Sequence, residues 1–218
     1  GNVELEPYRA TSYDLSIEYY FAPEALLSFA YFYKDISTYV QTTTEPLSYS
    51  QLTTLNPIAF PAGGRPAGDT YQFSTPTNTP GGPLKGFEIS YQQTFSFLPS
   101  LLSNLGTQLN YTHVESEIQY CVTATCAAFV TADLVNLSPN AWNATLYYDD
   151  GKFNARVSAA YRDTYFQNVP GSNGATGLIP YQGKTETTTI DASASYNLTD
   201  NLSLSVERSE ERRVGKEC

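Results

Sequence analysis

Taken two residues at a time, the hydrophobic and polar positions of this chain separate onto opposite sides in segment after segment. Between Thr11 and Phe21, Tyr13, Leu15, Ile17, Tyr19 and Phe21 share one side, while Asp14, Ser16 and Glu18 share the other. Successive residues of a strand point to opposite faces, so the pattern predicts strands that divide an apolar from a polar environment. The segment from Leu84 to Phe97 repeats it, with Phe87, Ile89, Tyr91, Phe95 and Phe97 against Glu88, Ser90, Gln92, Thr94 and Ser96. Ala141 to Tyr148, Phe153 to Phe166 and Thr185 to Asn197 follow the same rule, and Leu26 to Gln41, Leu105 to Glu117 and Asn201 to Glu207 complete the set. In Leu26 to Gln41 one residue is out of place: Phe32 falls among Ser28, Ala30 and Lys34.

The connections alternate. Tight turns at Ala22-Pro23-Glu24-Ala25, around Pro99, at Asp149-Asp150-Gly151-Lys152 and at Leu198-Thr199-Asp200 are separated by long segments after Gln41, Glu117 and Phe166. Antiparallel strands with short turns at one end and long loops at the other describe the wall of an outer-membrane barrel. The expected fold is all-β: a fragment of an antiparallel transmembrane β-barrel, with long meander strands in an open, curved sheet whose first and last strands lack partners. The short turns then face the periplasm and the long loops face outward. A half-buried strand of a soluble sandwich alternates in the same way. Length separates the two, because a spanning strand needs about 9–11 residues where soluble strands are most often about 5 or 6. Aromatic residues also gather at strand ends, as in Tyr19-Tyr20-Phe21 and Tyr147-Tyr148.

Composition sharpens this picture. The chain is 41% hydrophobic and 16% charged, with 18 Tyr and 11 Phe against one Trp and no Met, a load that a barrel uses as interfacial girdles. A net charge of -10 without a cluster of Lys and Arg in the strands excludes nucleic acid as a partner. No run of residues is apolar enough for a membrane helix and no signal segment opens the chain. Gly1-Asn2-Val3-Glu4 leads straight into a strand, so the start reads as a cut.

Short motifs then resemble a known family. Asn2, Leu5 and Pro7, followed by Tyr13-Asp14-Leu15, Glu18-Tyr19-Tyr20-Phe21, Phe32-Tyr33-Lys34-Asp35-Ile36 and Gly86-Phe87-Glu88-Ile89-Ser90-Tyr91-Gln92-Gln93, are similar to barrel segments of TonB-dependent outer-membrane receptors. Asn110-Tyr111-Thr112, Arg156 to Asp163, Asp191 to Tyr196 and Leu198 to Leu202 continue the likeness in the same order, over residues 1–207. The resemblance implies a barrel of about twenty-two strands around an N-terminal plug. It further implies a location in the bacterial outer membrane and a role in importing a siderophore, an oligosaccharide or a similar bulky nutrient, energised through TonB. The expected partners are outer-membrane lipid, that ligand, the chain's own plug, and TonB through the N-terminal region; the plug, the TonB-contacting box and the C-terminal aromatic strand of the family pattern are missing. The residues leave two rivals open, a complete eight-stranded adhesin or anchor barrel and a secreted sugar-binding β-sandwich.

Residues 208–218, Arg208 to Cys218, place charges on both faces and are expected to interrupt the last strand. They match the conceptual translation of a short-read sequencing adapter, so they read as a non-native tail. Setting Cys218 aside leaves Cys121 and Cys126 in one long loop, a disulfide candidate in an oxidising compartment. Metal binding is the weaker alternative, because no His or further Cys lies nearby.

Catalytic signals are absent: no nucleophile elbow, P-loop or HExxH spacing appears, no cofactor is implied, and the single histidine, His113, falls on the apolar side beside Tyr111. Binding is the better expectation. Tyr49, Phe60, Arg65, Tyr71, Phe73, Tyr165 and Phe166 lie in long loops where aromatic faces can stack on a sugar or an aromatic chelator, or pack the loop itself. On the polar side, Asp14, Glu18, Lys34, Glu88, Gln92, Arg156, Arg162 and Asp191 line the lumen; Arg156 and Arg162 join the ligand candidates.

Overall fold

A computed structural model describes residues 2–123, 126–172 and 181–213. Strands β1 (Arg9–Ala22) and β2 (Ala25–Ser48) lead to helix α1 (Tyr49–Leu55), then β3 (Thr70–Thr79) and β4 (Gly82–Thr94). A 3₁₀ turn at Ser100–Asn104 precedes β5 (Leu105–Ser116), the short β6 (Ile118–Cys121) and β7 (Phe129–Ala132), and β8 (Asn140–Asp149). The chain closes with β9 (Phe153–Arg162), the short β10 (Tyr165–Asn168) and β11 (Gln182–Lys184), then β12 (Thr187–Thr199) and β13 (Leu202–Arg213).

Eight strands form the wall in the order β1-β2-β4-β5-β8-β9-β12-β13, every neighbouring pair antiparallel. The first and last strands are not paired with one another. The sheet is therefore open, as expected, and the closed eight-stranded anchor barrel is not what these strands form. Nor does a second sheet cover the apolar face: Leu15, Ile17, Leu146 and Val157 are 65, 63, 50 and 52% exposed. That observation removes the soluble sandwich, which needs such residues packed face to face.

Register keeps the two faces apart across the whole wall. Ile17 pairs with Phe29, Phe29 with Ile89, Ile89 with Tyr111, Tyr111 with Trp142 and Trp142 with Tyr161. On the other face Glu18 pairs with Ser28, Ser28 with Ser90, Ser90 with Asn110, Asn110 with Asn143, Asn143 with Ala160 and Ala160 with Thr189. A slip of one residue in any pair would send charges to the apolar side. Aromatic rings bound the apolar face at both ends. Tyr19, Phe21, Tyr91, Tyr148, Phe153 and Tyr196 lie toward the short turns, and Tyr13, Tyr33, Tyr111, Trp142 and Tyr161 toward the loops. Phe21 stacks on Tyr91 at 6.1 Å and Trp142 on Tyr161 at 5.8 Å. Phe153 and Tyr161 are eight residues apart, about 26 Å of strand, close to the apolar band of roughly 25 Å in outer-membrane barrels.

Phe32, the misplaced residue, does point to the polar face, and Gly86 makes room for it. The two are directly paired, and a Cβ at Gly86 would come within 2.6 Å of the Phe32 ring and 2.2 Å of the His113 carbonyl oxygen.

Several boundaries differ from expectation. The stretch after Gln41 is not a loop: β2 continues to Ser48 and pairs with β3 through Thr-rich segments, Thr43 bonding Thr77 at 3.0 Å and Thr44 bonding Ser74 at 2.8 Å through their hydroxyls. β-Branched residues favour this ribbon. The strand from Phe153 stops at Arg162 rather than Phe166, because the Asp163 carboxylate accepts the Thr164 N–H at 2.8 Å and turns the chain out of the wall. The charges after Glu207 do not end β13, which pairs with β12 as far as Arg213. A ladder uses only main-chain groups, and Glu210 accepts from Arg212 at 2.8 Å and pairs with Arg208 at 3.5 Å. Residues 214–218 of the expected tail, including Cys218, and residues 173–180 of the third long loop lie outside the described residues.

The face assignment has a direct test. Val157→Arg should destabilise a folded receptor carrying this wall by about 2–4 kcal/mol in lipid, whereas Ser158→Arg, on the next residue, should change stability by less than about 0.5 kcal/mol. Equilibrium urea titrations in bilayers check both; equal penalties would contradict the two-faced wall.

Candidate ligand site above the wall

At the loop end the chain builds a layer with its own core. Tyr120 and Ile118 of β6 are fully buried and Val169 is 1% exposed; Ile36, Tyr39, Leu134, Val135 and Phe166 pack against them. The Tyr120 hydroxyl donates to the Asp133 carbonyl at 3.1 Å and accepts from the Val135 N–H at 3.0 Å. Burial pushes its phenol up to about 12. Gln41 fastens this layer to the long second strand: its amide donates to the Gln119 carbonyl at 2.7 Å and accepts from the Cys121 N–H at 3.0 Å. Cys121 and Cys126 are joined by a disulfide. Gly171, at φ +88°, lies against the Cys121 main chain, where a Cβ would meet the carbonyl oxygen at 2.1 Å. The third loop is thereby seated on the β6–β7 hairpin.

The candidate residues divide into groups. Tyr49 is 8% exposed, donates to the Pro61 carbonyl at 3.1 Å and has the rings of Tyr71 and Phe60 at 6.1 and 6.3 Å. These three form the inside of the β2–β3 loop. Phe73 lies two residues beyond Tyr71 in β3, opposite Glu45, and Arg65 sits exposed in the segment before β3. Arg156 is on the polar face, six residues below Arg162 and opposite Tyr147 and Ser193.

Arg162, Tyr165 and Phe166 are brought together. Arg162 donates through Nε to the Ser138 hydroxyl at 2.7 Å and through Nη2 to the Asn136 carbonyl at 2.6 Å, and its guanidinium lies 4.1 Å from the centre of the Tyr165 ring. Two of the five donors in the fork are used in this bracing. Lys184 stands directly opposite Tyr165, and the Tyr181 ring is 5.3 Å from Phe166. Two adjoining hollows share Tyr165, Lys184 and Thr185. One, about 430 Å³, opens on the polar face between Asn143, Arg162 and Thr189; the other, about 380 Å³, runs between Tyr165, Phe166 and Tyr181. Tyr181 and Lys184 escaped the sequence reading, although an aromatic and a cation in a long loop meet the same criterion that selected Tyr165.

A hydrogen-bond chain supports this corner from the outer side. Tyr111 donates to the Asn140 side-chain carbonyl at 2.8 Å, His113 Nδ1 lies 2.9 Å from the same oxygen, and Asn140 donates to Asp163 at 2.8 Å. The Asn140 amide is the chief reason the Asp163 carboxyl is held below the usual carboxylate range. His113 is thus part of this network, and its Nε2 also lies 3.5 Å from the Glu115 carboxylate. Among the described residues no group of three or more His, Cys, Asp or Glu is placed to hold a metal ion. The arrangement offers cations, aromatic faces and hydroxyls for binding.

A family model described as TonB-dependent receptor-like, β-barrel, matches residues 1–207. The chain belongs to that family. Its structure is similar to the ferric enterobactin receptor PfeA (a G324V mutant) of Pseudomonas aeruginosa, with TM-score 0.59 and 12% identity over 91% of this chain and 25% of that one. It is also similar to the siderophore receptor PirA of Acinetobacter baumannii, with TM-score 0.61 and 15% identity over 96% of this chain and 28% of that one. The chain therefore spans about a quarter of the length of these receptors, and the likeness is one of fold. No curated protein sequence matches it.

Two outcomes are expected for the loop layer. Without reductant, the peptide carrying Cys121 and Cys126 should take up no alkylating reagent, and after reduction it should take up two equivalents by mass. Free thiols in the native receptor would contradict the bridge. The raised folded value of Tyr120 means that its stabilising contribution is full below about pH 10, the unfolded value, and is lost as the pH climbs through about 12. Amide exchange at Val135 should accelerate over that interval and should lose this step in Tyr120→Phe.

Proposed function

We propose that this chain is part of an outer-membrane receptor that imports a scarce, bulky nutrient, with energy delivered through TonB. The observation that carries the reading is the two-faced, eight-stranded wall matched by the family over residues 1–207, with a cationic and aromatic hollow above its polar face. In this reading the apolar face meets lipid, and the polar face meets water and the receptor's own plug. TonB is reached only through that plug and the region before it. The ligand enters from the loop side and meets Tyr165, Phe166, Tyr181, Lys184 and Arg162 first.

A siderophore is the substrate class we favour. Both similar receptors named above carry such ligands by their descriptions. Braced Arg162 against the Tyr165 ring also suits a ligand that combines negative charge with aromatic groups. Tyr49, Phe60 and Tyr71 serve the loop's own packing, and Arg65, Phe73 and Arg156 are secondary candidates for ligand contact. Residues 208–218 read as foreign to the wall, supported by a family match that covers 1–207 and by Arg208, Glu210 and Arg212 standing in the apolar-face row.

Uptake of labelled ferric siderophores by a strain lacking its own receptors tests the function. Transport should appear when the receptor is supplied and vanish when TonB is deleted. Arg162→Ala combined with Tyr165→Ala should weaken binding at least about fivefold, from the loss of a cation–π pair and charge-assisted hydrogen bonds worth roughly 1–3 kcal/mol together. Unchanged affinity would remove this corner from the ligand path.

A further inference from the structure

The turn between β4 and β5 differs from the other short turns. Its sequence, Phe95-Ser96-Phe97-Leu98-Pro99-Ser100-Leu101-Leu102-Ser103-Asn104, contains no charged residue. The other three carry carboxylates: Glu24 in the first, Asp149 and Asp150 in the third and Asp200 in the fourth. Phe97, Leu101 and Leu102 are 67, 68 and 51% exposed, and β4 and β5 both lie inside the sheet, so no edge accounts for it. The turn is nonetheless a built structure. Phe95 N–H donates to the Leu105 carbonyl at 2.8 Å, Leu98 N–H to the Phe95 carbonyl at 2.8 Å, and the Ser103 hydroxyl to the Ser100 carbonyl at 2.6 Å. The Phe95 and Phe97 rings meet edge to face at 6.0 Å.

Position decides what covers these side chains. Phe95 stands opposite Leu105, which pairs with Tyr148 of the aromatic row. It lies four residues past Tyr91 with Gln93 between, its ring holds that of Phe97, and the Asn104 amide donates to the Tyr148 hydroxyl at 3.4 Å. The exposed surface is thus an extension of the lipid-facing wall past its aromatic boundary, away from the lumen where a plug would sit. We propose that residues 95–104 are a lipid anchor, seated in the headgroup and acyl boundary of the inner leaflet. With no charge in the turn, it takes zwitterionic phospholipid as readily as anionic, and its seating is insensitive to salt. The inference rests on the membrane placement proposed above.

Spin labels report both separately. The receptor carrying this wall, in a Cys218→Ser background, is reconstituted into phosphatidylcholine vesicles with a label at Leu101→Cys, at Leu146→Cys in the wall, or at Lys152→Cys in a charged turn. Power saturation then compares accessibility to oxygen, which concentrates in lipid, with accessibility to a water-soluble nickel chelate. The Leu101 label should show an oxygen-to-nickel ratio several-fold above that of Lys152 and unchanged by molar salt. A Leu101 ratio equal to that of Lys152 overturns the anchor, and so does shielding of Leu101 from both reagents, which would place a protein over it. If the Leu146 label is also aqueous, the membrane reading itself has failed.

Discussion

Inside the wall each strand's main-chain N–H and C=O groups are met by its neighbours, leaving the outer edges of β1 and β13 open. A wall proposed to stand in lipid requires this, because lipid supplies no hydrogen-bond partner. The two-faced character of the wall follows from that constraint. Once the ladders between β1 and β13 are fixed, alternation of side chains is fixed with them, and the sequence can place apolar groups on one face and polar groups on the other without any interior to fill. The wall buries few side chains; the largest fully buried ones among the described residues, Ile118, Tyr120 and Val169, belong to the loop layer above it.

That layer obeys the ordinary rules of a small soluble core. Tyr120 is buried with its hydroxyl both donating and accepting, Gln41 is buried with its amide matched at both ends, and a disulfide closes the hairpin they hold. The proposed ligand hollow lies where the two regimes meet. Arg162 is the last residue of a wall strand, and its side chain is braced by Ser138 and Asn136 of the connection before β8. Tyr165 begins the strand that leaves the wall.

Much of the wall was legible because a period of two survives wherever one face is apolar, and all eight wall strands, their turns and the odd position of Phe32 can be read from it. The loop elements were not legible for the same reason. β3, β6, β7, β10 and β11 lie outside the two-faced environment, and short strands such as Gln182–Lys184 are set by packing on their neighbours rather than by alternation. The site was half visible: Arg162, Tyr165 and Phe166 could be named by residue type, but only the Asp163 turn and the β10–β11 pairing bring them beside Tyr181 and Lys184. Tyr49, Phe60 and Tyr71 show the opposite case, residues whose chemistry suits a ligand and whose neighbours are one another.

β2 runs without interruption from Ala25 to Ser48, through the wall and into the loop layer. A strand shared by two regions removes the hinge between them. Gln41, part-way along it, grips the β6 hairpin, and the third loop rests in turn on that hairpin at Gly171. The proposed recognition surface therefore stands on a mast rather than on a tether. A ligand arriving there has little chain entropy to remove before contacts form, and any tilt of the second strand is carried directly to the mouth of the barrel.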